Sequence, residues 1–290
     1  MKKWIYKYRW GLLFLLPEVI VFLLFLWVPI VKGFFYSFQS VDFVKGMHYV
    51  GLANYKDILH RTEIGISVRN TVYYMALCLL LGYWVPCFFA IVVSELRKFQ
   101  GLARTVMYLP MLIPSTALYS MWLWFYDGTG PFNSLMTKLG MNPIGFLTDT
   151  KWAMPSIVLM ETWQQFGGAF IIYIAGLAGI PRDLYEAAEI DGAGVWARVR
   201  FITLPGIRHL LMLMLLLQLI GTSQGYQSQK VLTDGGPVNS TLTYGLMIIR
   251  EAFTYQNYGT ASAMGVMMLI VLGILSFFYM KWDKNGVFAK

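Results

Sequence analysis

The chain has 290 residues, of which 57% are hydrophobic and only 13% charged, and its mean hydropathy is +0.56. That much apolar surface exceeds what one soluble core hides, so the composition calls for a bilayer. The 23 Lys and Arg against 15 Asp and Glu leave a formal charge of +8, which in a soluble chain would point to nucleic acid. Here the basic residues flank long apolar runs, and a membrane surface is the partner they fit.

Lys2, Lys3, Lys7 and Arg9 precede an apolar run over 11–31, long enough to cross about 30 Å of hydrocarbon as a helix. The run is long for a signal peptide and no small-residue cleavage site follows it, so it predicts an uncleaved first span. Glu18 sits within it beside Pro17, close enough to one end to snorkel to the surface; the alternative is a site facing other helices or water. Residues 32–69 turn polar and read as an external loop, and a charge-free second span covers 70–93. Its Cys78 and Cys87 are nine residues apart, face opposite ways on one helix and cannot pair.

A third span, 106–126, carries Pro110 and Pro114 as candidate kinks. It ends in Trp122, Trp124, Phe125 and Tyr126, which read as an interfacial aromatic belt in preference to sugar-stacking rings. The turn-rich stretch 127–151 is a second external loop, and 152–177 is the fourth span.

Between the fourth and fifth spans lies the most distinctive polar insert, Pro181 to Pro205. Pro181 suits the first turn of a helix and Asp183 and Glu186 suit its positive end, so a short helix is predicted over 182–190. Gly192 ends it, and a second short helix over 194–203 is stopped by Pro205. The fifth span covers 206–222. Residues 224–258 are polar and rich in Gly and Pro; inside them 242–253 is apolar but too short to span, and reads as an interfacial or partly re-entrant helix. A sixth span, 260–281, and a short basic tail follow. The fold class is an all-α membrane protein, one domain over 1–290 with six transmembrane helices.

Six spans place both termini on one side. Fourteen of the 23 basic residues fall on the four segments of that side: Lys2, Lys3, Lys7, Arg9; Arg97, Lys98, Arg104; Arg182, Arg198, Arg200, Arg208; and Lys281, Lys284, Lys290. The other nine are spread over three longer loops, so the termini and the 181–205 insert are expected in the cytoplasm.

No GxxxxGK[ST] phosphate loop, HExxH or His/Cys ligand cluster occurs, and His48, His60 and His209 are scattered. The chain by itself is not expected to be an enzyme or to hold a metal or cofactor; any ATP is bound by another polypeptide. In the fourth span Glu161, Gln164, Gln165 and Gly168 share one helical face, and in the fifth Gln218, Thr222 and Gly225 share another. With Trp163 and Tyr226 as aromatic contacts, these faces are the candidate substrate path. The alternative is that they bond helix to helix, at about 0.6–2 kcal/mol each. A rival class, a gradient-driven secondary transporter or channel, would use Glu18 and Glu161 as ion or proton sites. It would also call for an internal repeat, and no convincing one is seen. A receptor or scaffold would leave the polar faces unexplained.

Glu186-Ala187-Ala188, Asp191-Gly192-Ala193, Phe201-Ile202 and Leu204-Pro205 resemble the EAA loop of permease subunits in binding-protein-dependent ABC importers. Further stretches are similar to sugar-importing permeases. They are Pro29 with Ser37-Phe38, Val50-Gly51-Leu52-Ala53-Asn54-Tyr55, Asn70-Thr71, Arg104 before Tyr108-Leu109-Pro110, Ala175-Gly176-Leu177 before Ile180-Pro181, Leu232 to Pro237, and Gly259 to Ala263. The likeness is to the MalF-like half of such systems. It implies a type I importer permease of MetI-like architecture that moves a sugar or oligosaccharide across a bacterial or archaeal cell membrane. The implied partners are a second permease subunit, two ATP-binding subunits and an extracellular solute-binding protein.

The resemblance further implies that Glu186, Ala187, Ala188, Asp191, Gly192 and Ala193 couple the chain to an ATP-binding subunit. Arg208-His209 depart from the pattern, standing where a second Pro often follows Pro205; this bears on where the next helix starts. The polar faces do not match a maltose-type site, so no particular sugar is implied. Glu161 weighs against an acidic substrate unless it is protonated or paired.

Overall fold

The computed structural model describes residues 2–42, 46–95 and 100–282. Arg97, Lys98, Lys284 and Lys290 lie outside the described residues, as do the side chains of Lys2, Lys3, Lys7 and Arg9. In chain order, α1 (Lys2–Phe22), a π-helical turn (Leu23–Trp27) and α2 (Val28–Tyr36) lead to a hairpin of β1 (Gln39–Asp42) and β2 (Gly46–Tyr49), then α3 (Ala53–His60). α4 (Thr62–Cys78), a π turn (Leu79–Tyr83) and α5 (Trp84–Ser94) make the next long helix. α6 (Gln100–Tyr108), a 3-10 turn (Leu109–Leu112), α7 (Ser115–Phe125), α8 (Pro131–Lys138) and α9 (Ala153–Ala178) follow. Next come α10 (Arg182–Ile190), α11 (Val195–Arg198), a π turn (Val199–Thr203) and α12 (Leu204–Gly206). The remainder is α13 (Arg208–Ser223), α14 (Gln227–Leu232), α15 (Tyr244–Ile249), a π turn (Arg250–Thr254) and α16 (Tyr258–Trp282).

Three of these π turns end two or three residues before a proline: Pro29, Pro86 and Pro205. Proline lacks the N–H that would close the i to i−4 bond and crowds that carbonyl, so a locally widened turn lets the helix continue.

Among the described residues, three helices are long and apolar enough to cross a membrane: Leu13–Tyr36, Thr62–Ser94 and Tyr258–Lys281. Three bent pairs raise the number to six: Gln100–Leu112 with Ser115–Phe125, Ala153–Ala178 with Arg182–Ile190, and Val195–Gly206 with Arg208–Leu232.

Several elements differ from the sequence reading. The second long helix begins at Thr62, not near residue 70, because Ser67 and Thr71 satisfy their hydroxyls on carbonyls of their own helix. The stretch expected as one kinked span over 106–126 is broken, its two halves meeting at 93°. Pro114 drives Ile113 into the extended conformation (ψ 125°), which no helix tolerates. The expected aromatic belt is half core. Trp122 and Tyr126 are buried among Phe132 and Phe146, with the Tyr126 and Phe146 rings stacked at 5.0 Å, while Trp124 stays exposed. All three expected external loops hold structure: the hairpin and α3 in the first, α8 in the second, and α14 and α15 in the third.

The described residues divide into two compact units, one from the stretches 2–61 and 248–273, the other from 62–247 and 274–282. In the first, the hairpin is antiparallel with Gln39 opposite Tyr49. Asn54 donates its amide to the carbonyls of Ser37 and Gln39, both at 2.9 Å, and the Tyr55 hydroxyl reaches Ser37 Oγ at 2.7 Å. Gly259, at the start of α16, lies so close that an added Cβ would stand 2.0 Å from the Gln39 carbonyl oxygen. Beside it, Glu251 is fully buried. Arg61 pairs with it at 2.5 Å, and Asn257 donates to its other oxygen at 3.1 Å.

In the second unit, Tyr83, Cys87, Phe170, Tyr173 and Leu177 anchor one core, and Leu118, Trp122, Ile157 and Met160 another. Cys78 and Cys87 are free and buried. The Asn70 amide holds the carbonyls of Asn239 and Leu242 at 2.7 and 3.1 Å, and Thr71 accepts from the Tyr244 N–H at 2.8 Å. The long polar segment before α15 is thereby fastened to α4.

Two substitutions test the first unit. Gly259→Ala is expected to cost about 1–3 kcal/mol through overpacking against backbone. Arg61→Ala, by leaving the Glu251 carboxylate buried without its cation, is expected to cost about 3 kcal/mol or more. Both are read as loss of thermal stability of the purified protein.

Candidate functional site

The helix α9 owes its position to two glycines. At Gly167 an added Cβ would lie 2.6 Å from both the Met107 carbonyl oxygen and Tyr108 Cα, so α9 touches the backbone at the end of α6. At Gly176 it would lie 2.2 Å from a Leu210 methyl, so α13 packs equally close on the same helix. Tyr83 adds a hydrogen bond to the Leu211 carbonyl at 2.9 Å, tying the second long helix to α13.

These contacts leave a cavity of about 500 Å³ between α4, α7, α9 and α13, bordered also by the chain leading into α14. Of the residues assigned to a substrate path from the sequence, Glu161, Gln165 and Gly168 of α9, Gln218 and Thr222 of α13, and Tyr226 line it. Gln164 and Trp163 do not line it. On α9 the lining positions are Glu161, Thr162, Gln165, Gly168 and Ala169, a stripe at i, i+1, i+4, i+7 and i+8 that leaves residues 163 and 164 off the face. The Trp163 ring instead meets Trp122 edge-on at 5.6 Å. Gly225 lines the cavity too, pressed against the Tyr74 ring, where a Cβ would come within 2.8 Å.

The cavity also takes in Tyr74, Tyr119, Gln224 and Gln227, which the sequence reading missed. Tyr74 and Tyr119 sit in apolar runs where a lone phenol gives no periodic signal, and Gln224 and Gln227 lie in a loop without periodicity. Glu161 is the hub of the hydrogen bonding. Tyr74 donates to one carboxylate oxygen at 2.5 Å and Ser228 donates to the other, so α4, α9 and α14 converge on one side chain. Glu18, by contrast, is exposed on α1.

The 181–205 insert forms the other candidate element. Helix α10 ends in a Schellman turn: the Gly192 N–H bonds to the Glu189 carbonyl at 3.1 Å, and the Ala193 N–H to the Ala188 carbonyl at 2.8 Å. Gly192 has φ +74°, a left-handed conformation that glycine adopts without strain. Ala188, Asp191, Gly192 and Ala193 therefore build the turn itself, while Glu186 and Ala187 lie on the exposed side of α10.

Arg198 pairs with Glu189 across the turn, and the Tyr185 hydroxyl lies 3.1 Å from Thr203 Oγ1, so the two short helices are bound to each other. Tyr185 and Ile202 pack on the core that holds α9, α5 and α13. On the outer surface Ile190 is 87% and Trp196 81% exposed, with Phe201 and Val195 also open. This apolar tip was not singled out in the sequence reading, although a tryptophan in a charged, exposed loop is a readable signal.

Comparison with known proteins decides the class. Residues 82–284 match the family of binding-protein-dependent transport system inner membrane components. The chain belongs to that family. The permease is 31% identical to the trehalose/maltose transport system permease protein MalF of Thermococcus litoralis, over 95% of both chains. It is 30% identical to the arabinooligosaccharides transport system permease protein AraP of Bacillus subtilis, over 93% of this chain and 87% of that one. Its fold matches a chain of a bacterial ABC transporter involved in the import of the acidic polysaccharide alginate, with TM-score 0.89 and 23% identity, over 99% of this chain and 100% of that one. The permease is thus an inner membrane component of a binding-protein-dependent transport system.

The lining separates residues that share a helix. Gln165→Ala and Gln218→Ala are each expected to weaken solute uptake by the assembled transporter about three- to tenfold, the equivalent of one lost hydrogen bond. Gln164→Ala is expected to leave uptake unchanged. Initial uptake rates in proteoliposomes check both.

Proposed function

We propose that the permease imports a sugar or oligosaccharide, driven by ATP that two separate ATP-binding subunits hydrolyse, together with a second permease subunit and an external solute-binding protein. Both termini and the 181–205 insert lie in the cytoplasm on this reading. The observation that carries it is the continuity between insert and cavity. Helices α9 and α13 flank the insert in sequence, pack on the same core and both line the polar cavity.

The rest follows from rigid coupling. The Schellman turn, the Arg198 to Glu189 pair and the Tyr185 to Thr203 contact make the insert a stiff handle. The exposed Ile190, Trp196 and Phe201 offer the apolar surface that a groove on an ATP-binding subunit would cover. Closure of those subunits pulls the handle, tilts α9 and α13, and opens the cavity outward to the binding protein; hydrolysis resets it inward. The cavity's amides and phenols provide donors and acceptors for sugar hydroxyls, and Tyr119 and Tyr226 supply aromatic surface. Names of the relatives, transporters of trehalose, maltose and arabinooligosaccharides, support the substrate class.

Purification of the membrane complex tests this directly. A second permease and an ATPase are expected to co-purify, and sugar-loaded binding protein is expected to raise ATP turnover. A chain that purifies alone and moves solute on an ion gradient contradicts the proposal. Within the complex, Gly192→Val forces a β-branched residue into φ +74° and costs about 1–2 kcal/mol or more at the turn. It is expected to abolish uptake while ATP hydrolysis continues. Gly192→Asn, which tolerates that conformation, is expected to retain most uptake.

A further inference from the structure

We infer that the cavity accepts an uncharged saccharide and that Glu161 is the residue that turns uronates away. The inference rests on the import reading above and narrows its substrate by charge. Among the described residues lining the cavity, Glu161 is the one carboxylate, and no Lys, Arg or His is present to balance it. Lys230 lies near in sequence, but it is not part of the lining and its ammonium is engaged by Asp234 at 2.8 Å.

The donors that reach Glu161, the hydroxyls of Tyr74 and Ser228, are neutral and cancel none of the charge it carries when ionised. Each of its oxygens keeps acceptor capacity for a further hydrogen bond. A sugar hydroxyl supplies that donor. A uronate carboxylate has none to give and brings a like charge against the ionised Glu161, with no cation in the described lining to offset the repulsion.

The rest of the lining points the same way. Gln165, Gln218 and Gln227 each carry a donor and an acceptor, which match a hydroxyl that is both; they leave half of each amide unmatched against an acceptor-only carboxylate. Selectivity of this kind comes from a repulsive element as much as from attraction.

The test is equilibrium binding to the purified whole transporter without its binding protein, so that the membrane cavity alone is read. Probes are radiolabelled neutral trisaccharides of glucose, xylose and arabinose, and trigalacturonate. At least one neutral trisaccharide is expected to bind about tenfold or more tightly than trigalacturonate. Glu161→Gln is expected to shrink that ratio about tenfold, and Gln165→Lys, which adds a cation to the same face without touching Glu161, to raise trigalacturonate binding by a similar factor. Trigalacturonate binding as well as the neutral sugars, or a ratio that neither variant moves, overturns the inference and leaves the import reading standing. Binding of none of the four probes, together with no uptake of any sugar by the complex in proteoliposomes, overturns both.

Discussion

The close approach of other chain segments to helix α9 is the contact on which the second unit depends. Gly167 admits the backbone of Met107 and Tyr108, and Gly176 admits Leu210, so three segments meet at distances that no side chain at those positions would allow. Helices in lipid gain little from burying apolar side chains against one another, because the tails are equally apolar. Tight van der Waals contact through small residues takes over that role. The break at Pro114 is part of the same arrangement. It lets α6 lie against Gly167 while α7 turns away to place Leu118 and Trp122 in the second core.

The polar cavity is a consequence of this packing. Glu161, Gln165 and Gly168 lie on α9 within two turns of its contact with α6, and Gln218 faces them from α13. Glu161 then fastens α4 and α14 through Tyr74 and Ser228. A carboxylate inside an apolar assembly is costly unless it is hydrogen-bonded, and the two hydroxyls meet that need. Its position in the cavity lining makes the same residue both a structural knot and part of the polar wall of the cavity.

The 181–205 insert has a separate logic, nearly all of it local. A helix that stops after nine residues leaves carbonyls to satisfy, and Gly192 with Ala193 completes a C-terminal cap from backbone atoms alone. The stretch Glu186 to Ala193, which carried the resemblance to a coupling loop, thus reads in physical terms as a helix with its stop. The same holds for motif residues of the first unit. Ser37, Asn54, Tyr55 and Gly259 are far apart in sequence and meet in one hydrogen-bonded clasp, Gly259 giving room for the Gln39 carbonyl.

Much of this molecule was legible in the amino-acid order. Apolar runs revealed the bilayer, the 182–190 helix and its glycine stop followed from rules that act over a few residues, and the 3.6-residue period set Glu161, Gln165 and Gly168 on one face. What the order did not disclose depends on distance through space. A face drawn from i+3 and i+4 spacing includes Gln164, and only the rotation of α9 under its neighbours turned that residue and Trp163 out of the cavity. Trp122 and Tyr126 looked like an interfacial belt until Phe132 and Phe146 folded back to cover them. Tyr74 became a site residue because Glu161 lay opposite it, and Glu251 was tolerable inside the chain because Arg61, 190 residues away, came to meet it. Local periodicity determines which residues share a face; which face is covered, and by what, is decided by packing between segments remote in sequence.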